Sequence, residues 1–138
     1  MNKICTSIEQ SKKLIELGID VSTADMLWTY DFVVNDINGL NVISEQLKPE
    51  ENDIPAWSLS ALLGLMPKSI KGITASDEAA GWPQYFYYPR LLLTDKEMWQ
   101  CIYKEYNGAG ASKCWTIGES PIDACVEMIL KLHELNLS

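Results

Sequence analysis

The side chains that most often hold metals or attack substrates are few in this sequence and widely spaced. The chain has four cysteines, at positions 5, 101, 114 and 125, and a single histidine, His133. A structural zinc site needs paired ligands a few residues apart, and no two cysteines have that spacing. We therefore expect no metal site and no cofactor, and we expect free thiols in a cytoplasmic protein.

Nucleophilic catalysis through a Cys–His pair or a Ser–His–Asp triad would have to use His133. That residue lies in the final turns of the last predicted helix, beside Ile129 and Leu132 on the flank of an apolar stripe. A histidine at the C-terminal end of a helix commonly interacts with the helix dipole. We predict no catalytic residue here, so the protein is not expected to be an enzyme.

Carboxylates leave one catalytic alternative open. A hydrolase that uses carboxylates alone would need several of them to converge, and the candidates are Asp25, Asp31, Asp36 and Asp53. This alternative predicts a pocket in which two or more acids meet, with a displaced pKa for at least one of them. Nothing in the spacing of these residues requires such a site.

Two segments have partial ligand-binding patterns. Residues 107–113 are small and glycine-rich, but they lack the Gly-Lys-Ser/Thr order of a phosphate-binding loop. Residues 36–39 with Glu45 match part of a calcium loop, whose first position would be Val34, a residue without a side-chain oxygen. We interpret the first segment as a connection between strands and the second as a β-hairpin that turns at Asn38-Gly39.

Aromatic residues are concentrated between positions 80 and 89, where the chain has Trp82, Tyr85, Tyr87 and Tyr88. Side chains of this kind fill protein cores, and they are also favoured at protein interfaces. Core packing is one interpretation of these four residues, and an exposed interaction surface is the other. Such a platform can also stack on a sugar or a base, but the acidic charge of the chain argues against a base.

Charge and composition exclude several classes of partner. The formal net charge is −8, with 11 basic and 19 acidic residues. Neither half of the chain is basic, so we expect no direct binding to nucleic acid or to an anionic membrane. The start of the chain has no apolar run, so we expect no signal peptide, and no apolar stretch is long enough for a membrane span. An acidic inhibitor of a host protein remains an alternative.

The apolar pattern predicts helices that alternate with strands. The first helix begins at a capping box formed by Thr6 and Glu9, and it ends at Gly18. Strand-like runs follow at residues 27–34, 40–43, 84–93, 98–106 and 114–117, with a largely buried helix at residues 55–66. Ser120 caps the last helix, and Pro89 indicates an edge strand or a break.

This order of elements predicts a single α+β domain over residues 1–138. We expect an antiparallel β-meander or hairpin sheet covered by about three helices, with an α-β-α sandwich-like arrangement. A domain of this size, with 47% hydrophobic residues, can bury its own core.

Three blocks resemble small prophage-associated proteins of gut bacteria. They are residues 4–11 (ICTSIEQS), 53–63 (DIPAWSLSALL) and 119–129 (ESPIDACVEMI). The last block is also similar to the final helix of phage ABA-sandwich domains, in which helices cover both faces of an antiparallel sheet. The resemblance implies a fold and an origin in a phage or mobile element, and it carries over no catalytic or binding residue.

The sequence therefore predicts a cytoplasmic binding protein without a catalytic site, which contacts an unknown protein partner or associates with itself. An acidic inhibitor and a carboxylate-based hydrolase remain the alternatives. An exposed sheet edge near Pro89 would favour self-association.

Overall fold

The computed structural model describes residues 3–71, 86–105 and 112–136. The chain divides into two compact units, residues 1–65 and 66–138, which we call the N-terminal and C-terminal units. The α+β class is confirmed, since antiparallel strands and helices form both units. The strands, however, form two sheets instead of the one expected. The single-domain assignment stays a prediction.

The N-terminal unit contains a three-stranded antiparallel sheet in the order β2-β1-β3. Its elements are α1 (Ile8–Glu16), a short 3-10 helix (Val21–Thr23), β1 (Met26–Asp31), β2 (Asp36–Val42), β3 (Ile54–Ala56) and α2 (Leu59–Leu65). Helix α1 packs against β3, and its Leu14 is completely buried together with Leu27 of β1 and Leu62 of α2.

The predicted capping box of α1 is displaced by one residue. The Ser7 hydroxyl accepts a hydrogen bond from the Gln10 amide at 3.1 Å, and the Gln10 side chain accepts one from the Ser7 amide at 3.0 Å. The prediction with Thr6 and Glu9 is wrong because the Thr6 side chain is buried and is bonded elsewhere. The predicted stop at Gly18 is confirmed by its φ of 89°.

Thr6 links three segments of the N-terminal unit through hydrogen bonds. Its amide donates to the Trp57 carbonyl at 2.9 Å, and its hydroxyl accepts from the Trp57 amide at 3.0 Å. The same hydroxyl is 2.8 Å from the hydroxyl of buried Ser11 on α1. The Trp28 indole N–H of β1 donates to the Thr6 carbonyl at 3.0 Å. Through Thr6, the segment before α1 is therefore bound to α1, to β1 and to the residue that follows β3.

The predicted hairpin exists, but its turn is not at Asn38-Gly39. The chain turns over residues 32–35, where Asn35 takes the left-handed conformation with a φ of 57°. Asn38 and Gly39 lie within β2. Between the Trp28–Leu40 and Tyr30–Ile37 pairs, these two residues lie opposite the single residue Thr29 of β1. The Asn-Gly pair therefore marks a β-bulge, because Gly39 adopts a φ of 115° that bulges accommodate.

The predicted helix at residues 55–66 is shorter than expected and less buried. Residues 54–56 pair with β1 as strand β3, so α2 begins only at Leu59. Asp25 holds the junction, because its carboxylate accepts hydrogen bonds from the Ser58 amide at 2.8 Å and from the Ser58 hydroxyl. Within α2 only Leu62 is buried, and Leu63 is exposed.

The C-terminal unit contains a four-stranded antiparallel sheet in the order β4-β5-β6-β7, with helix α3 on one face. Its elements are β4 (Ile70–Lys71), β5 (Phe86–Leu93), β6 (Trp99–Glu105), β7 (Ser112–Gly118) and α3 (Pro121–Glu134). The predicted Ser120 cap is confirmed, since its hydroxyl accepts from the Asp123 amide at 3.0 Å. The predicted apolar stripe of α3 is buried: Ile122, Cys125, Val126, Ile129 and Leu132.

Pro89 lies inside β5 and pairs with Tyr103 of β6. Strand β4 pairs only with Tyr87 and Phe86 at the start of β5. Within the described residues, no strand pairs with Pro89 on the side of β5 away from β6, so Pro89 occupies an edge position there, as predicted. The N–H that proline lacks therefore costs no hydrogen bond between strands.

Gly118 allows α3 to approach β7 closely. A Cβ atom at this position would lie 2.5 Å from the Ala124 amide nitrogen and 2.8 Å from the Asp123 carbonyl carbon. We expect Gly118→Ala to destabilise the protein by about 2–3 kcal/mol, because a backbone segment must move to admit the methyl group. Urea unfolding followed by circular dichroism measures this loss.

Gly64 provides the matched control, since nothing lies within 4 Å of a Cβ added there in α2. Gly64→Ala should leave stability unchanged or raise it by up to about 1 kcal/mol, as expected for a helical glycine. Equal effects of the two substitutions would contradict the proposed close approach.

Replacing Thr6 by valine should cost about 2–3 kcal/mol. The substitution preserves the side-chain shape but leaves the buried Trp57 N–H without its acceptor. Thr6→Ser keeps the hydroxyl and removes one methyl group, so it should cost only about 1 kcal/mol. If the serine variant proves as unstable as the valine variant in urea unfolding, packing and not hydrogen bonding is the dominant role of Thr6.

Candidate interaction surfaces

The predicted aromatic surface is described only in part. Trp82 and Tyr85 lie outside the described residues. Tyr87 and Tyr88 are neighbours on β5, so their side chains project from opposite faces of the sheet. Tyr88 is exposed, and it lies on the face opposite α3. The two tyrosines therefore do not form one surface.

The face of the four-stranded sheet opposite α3 carries large exposed apolar side chains on β5 and β7, whereas Ile102 on the central strand β6 is buried. We call this side of the sheet the open face; its residues are Tyr88, Arg90, Leu92, Gln100, Ile102, Lys104, Trp115 and Ile117. The alternate residues Cys101, Cys114 and Thr116 face α3, where the Thr116 hydroxyl donates to the Ala124 carbonyl at 2.8 Å. Trp115 is 48% exposed, Ile117 43% and Leu92 40%, so this side of the sheet holds large apolar side chains in contact with solvent.

Cations border the apolar residues of the open face. In the register of the strands, Arg90 of β5 and Trp115 of β7 both pair with Ile102 of β6. The ammonium group of Lys131 on α3 reaches the edge strand, where it donates to the Trp115 carbonyl at 3.2 Å and lies 6.0 Å from the indole centroid. The charged side chains on the open face itself, Arg90 and Lys104, are both positive.

A second exposed apolar group forms the tip of the β1–β2 hairpin. We call Phe32, Val33 and Val34 the hairpin tip; Phe32 is 71% and Val33 93% exposed. The Tyr30 and Phe32 rings contact each other edge-to-face, with centroids 5.0 Å apart. Three consecutive apolar side chains in solvent are unusual for a turn, which normally consists of polar residues.

Carboxylates surround the hairpin tip. Asp31 and Asp36 pair across the two strands at its base. Hydrogen bonds from the Val33 amide and from the Asn38 side chain lower the pKa of Asp31 below its usual value. A small cavity of about 190 Å³ lies beside the tip, lined by Tyr30, Phe32, Glu50, Glu51, Asn52 and Asp53. The tip is therefore an apolar group with an acidic base.

The four carboxylates considered for catalysis do not meet at one place. Asp25 accepts hydrogen bonds from Ser58, which precedes α2, whereas Asp31 and Asp36 pair with each other at the hairpin. Asp53 lies in the acidic cavity, but its two carboxylate oxygens accept hydrogen bonds from the Tyr30 amide at 2.8 Å and the Glu50 amide at 2.9 Å. Asp53 thus anchors its loop to β1.

An apolar cavity of about 270 Å³ lies near the start of the chain. It is lined by Lys3, Ile4, Cys5, Ser7, Trp28 and Leu40. Trp28 forms one wall, and its indole N–H is already bonded to the Thr6 carbonyl. None of the residues that line this cavity also lines the cavity beside the hairpin tip.

The four cysteines are buried and form no disulfide. In the C-terminal unit, a hydrogen bond to Cys125 and burial raise the pKa of the Cys101 thiol, and the Cys114 sulfur lies 3.7 Å from the Met128 sulfur. Cys101 and Cys125 are buried among apolar side chains, where a thiol packs as a small apolar group. His133 is exposed in the last turn of α3.

The described parts of the chain contain no group of three or more His, Cys, Asp or Glu side chains placed to hold a metal ion. Of the glycine-rich segment 107–113, only residues 112 and 113 fall within the described residues, at the start of β7. None of the helices in the described ranges has both the length and the apolar character needed to cross a bilayer. Comparisons with protein-family models, with curated proteins and with solved structures gave no match.

Sequence reasoning missed the open face and the hairpin tip. On β7, alternation assigns Trp115 and Ile117 to one face and Cys114 and Thr116 to the other, so apolar residues occur on both faces. That two-sided pattern was the available signal for the open face. The tip was missed because its apolar residues were assigned to a strand that continued to Val34.

Buried Tyr103 should make the stability of the C-terminal unit fall at alkaline pH, because burial raises the pKa of its hydroxyl. The hydrogen bond between Cys101 and Cys125 raises the pKa of Cys101 and lowers that of Cys125, so the contributions of the two thiols oppose each other. Above about pH 9 the unfolded chain begins to release the Tyr103 proton while the folded protein retains it. The folded state then binds more protons, so the free energy of unfolding decreases as pH rises.

Urea unfolding between about pH 7 and pH 10 measures this decrease. Tyr103→Phe removes the titrating hydroxyl and should give a shallower slope than the unsubstituted chain. A free energy of unfolding that stays constant over this range would contradict the assignment.

Proposed function

We propose that the protein is a non-catalytic binding protein that contacts a protein partner through the open face of its four-stranded sheet. The observation that carries this proposal is the exposure of Trp115, Ile117 and Leu92 on the face opposite α3. Exposed apolar patches on folded proteins commonly mark interaction sites, and burying them in a complex is favourable.

The residue types of the open face also support a protein partner. Tryptophan, tyrosine and arginine are the side chains most enriched among those that dominate binding energy at interfaces, and Trp115, Tyr88 and Arg90 are all present. These side chains project from paired strands, so their positions are fixed before a partner arrives. Such preorganisation lowers the entropic cost of association.

The cellular location and origin form part of the same proposal. Four buried cysteines without a disulfide agree with a reducing cytoplasm, where disulfides seldom form. The three sequence blocks that resemble prophage-associated proteins support an origin in a phage or another mobile element. The expectation that the chain does not bind nucleic acid stays a prediction.

An acidic inhibitor is the second candidate, and the hairpin tip favours it. The tip combines exposed Phe32 and Val33 with the carboxylates of Glu50 and Glu51 beside it. That combination suits a basic partner, whose capture would weaken as salt screens the charges. The carboxylate hydrolase has less support, because Glu50 and Glu51 are exposed and Asp53 is committed to two amides.

Site-specific photocrosslinking tests the open face. A photoreactive phenylalanine analogue replaces Trp115 in one variant and Ile117 in another, and each is irradiated in a nuclease-treated extract of a bacterial host. We expect both positions to crosslink to the same protein. The matched control carries the analogue at Glu127, an exposed residue of α3 away from the open face, and it should not give that product.

Competition with unlabelled chain makes the test quantitative. Unlabelled protein should suppress the crosslink, and unlabelled Ile117→Glu protein should need about ten-fold more to do so. Crosslinks that are identical at positions 115 and 127, or none at positions 115 and 117, would contradict the proposal.

A further inference from the structure

We infer that a partner of the open face is the hairpin tip of a second copy of this chain, so that the molecules associate head to tail. This inference rests on the proposed function, because it uses the open face as the receiving surface. The two surfaces lie in different units of the chain, the tip in the N-terminal unit and the open face in the C-terminal unit. Both surfaces hold exposed apolar side chains. The hairpin tip has acidic residues beside it, whereas the open face carries basic residues.

The apolar parts of the two surfaces are suited to each other. The tip projects Phe32, Val33 and Val34 from a turn whose conformation is fixed by Asn35 and by the paired strands below. The open face offers Leu92, Trp115 and Ile117 across neighbouring strands. A narrow projection and a broad sheet surface can contact each other with little rearrangement, which favours rigid docking.

The charges specify which surfaces can meet. Asp31, Asp36, Glu50 and Glu51 surround the tip, whereas Arg90 and Lys104 lie on the open face, with Lys131 at its edge. Contact between a tip and an open face brings opposite charges together. Contact between two tips would bring carboxylates together, and contact between two open faces would bring cations together. Like-charge contacts are disfavoured at interfaces, so charge selects the unlike pair.

One contact between two different surfaces leaves one tip and one open face unused, unless two copies exchange tips and close as a dimer. Such a heterologous interface adds further copies until a ring closes or a filament grows. A hairpin tip covers little area, and interfaces below about 1,200 Å² are usually transient. We therefore expect weak assembly that increases with protein concentration and decreases between about 0.05 M and 0.5 M salt.

Two surface variants separate this arrangement from others. Val33→Lys places a cation at the tip, where it would oppose the cations of the open face. Ile117→Glu places an anion on the open face, where it would oppose the acidic tip. Each variant has a matched control in the same unit but outside that unit's surface: Val42→Lys at the end of β2 farther from the hairpin tip, where Val42 is 63% exposed, and Leu135→Glu after α3, where Leu135 is 48% exposed. Circular dichroism and urea unfolding verify that each variant is folded.

Sedimentation velocity over a concentration series provides the readout. The unsubstituted chain and both controls should form dimers or larger species as concentration rises. Val33→Lys protein and Ile117→Glu protein should each associate about ten-fold more weakly or remain monomeric. An equimolar mixture should form dimers and stop there, because the open face of the first variant and the tip of the second remain intact and allow one contact.

Three results would overturn the inference: an unsubstituted chain that is monomeric at all concentrations, a Val33→Lys variant that assembles normally, or a mixture that remains monomeric. The proposed function fails separately. If the chain is monomeric but positions 115 and 117 still crosslink to another protein of the extract, the open face binds that protein and self-association is excluded.

Discussion

One amphipathic helix can cover only one face of a sheet, and this constraint determines the surface of the C-terminal unit. Helix α3 buries its whole apolar stripe against the side of the sheet that carries Cys101, Cys114 and Thr116. The strands also carry apolar residues on the other side, so Trp115, Ile117 and Leu92 meet solvent. The close approach permitted by Gly118 fixes α3 on its face. Within the described residues, the candidate interaction surface thus arises because the sheet carries apolar side chains on both faces and α3 covers one of them.

Backbone conformation has a comparable effect in the N-terminal unit. Asn35 and Gly39 both adopt positive φ, but one closes the hairpin and the other forms a bulge within β2. The turn at residues 32–35 places Phe32 and Val33 at the end of the hairpin instead of on a strand. A turn at Asn38-Gly39 would have left these residues within β1, where neighbouring strands cover part of each side chain.

Polar side chains inside the N-terminal unit join its elements. Thr6 satisfies the buried Trp57 amide, Asp25 holds Ser58 at the start of α2, and Asp53 holds its loop to Tyr30 of β1. Such groups are stable in the interior because each has its partners, whereas an unpaired one would be costly. The carboxylates at positions 25 and 53 thus have structural roles.

The sequence by itself determined the α+β class, the cap and buried stripe of α3, the helix stop at Gly18 and the edge position of Pro89. These features follow from local rules of capping, helical periodicity and proline geometry, so a short window of residues contains them. Tertiary structure decided that the Ser7 hydroxyl, and not that of Thr6, caps α1, and it decided where the hairpin turns. It also decided that Ile54–Ala56 pairs with β1 as a strand and which face of the four-stranded sheet α3 covers. Each of these depends on partners distant in the chain, such as Trp57 for Thr6 and Met26–Asp31 for β3. Local propensity is too weak to choose between alternatives that long-range pairing separates by several hydrogen bonds.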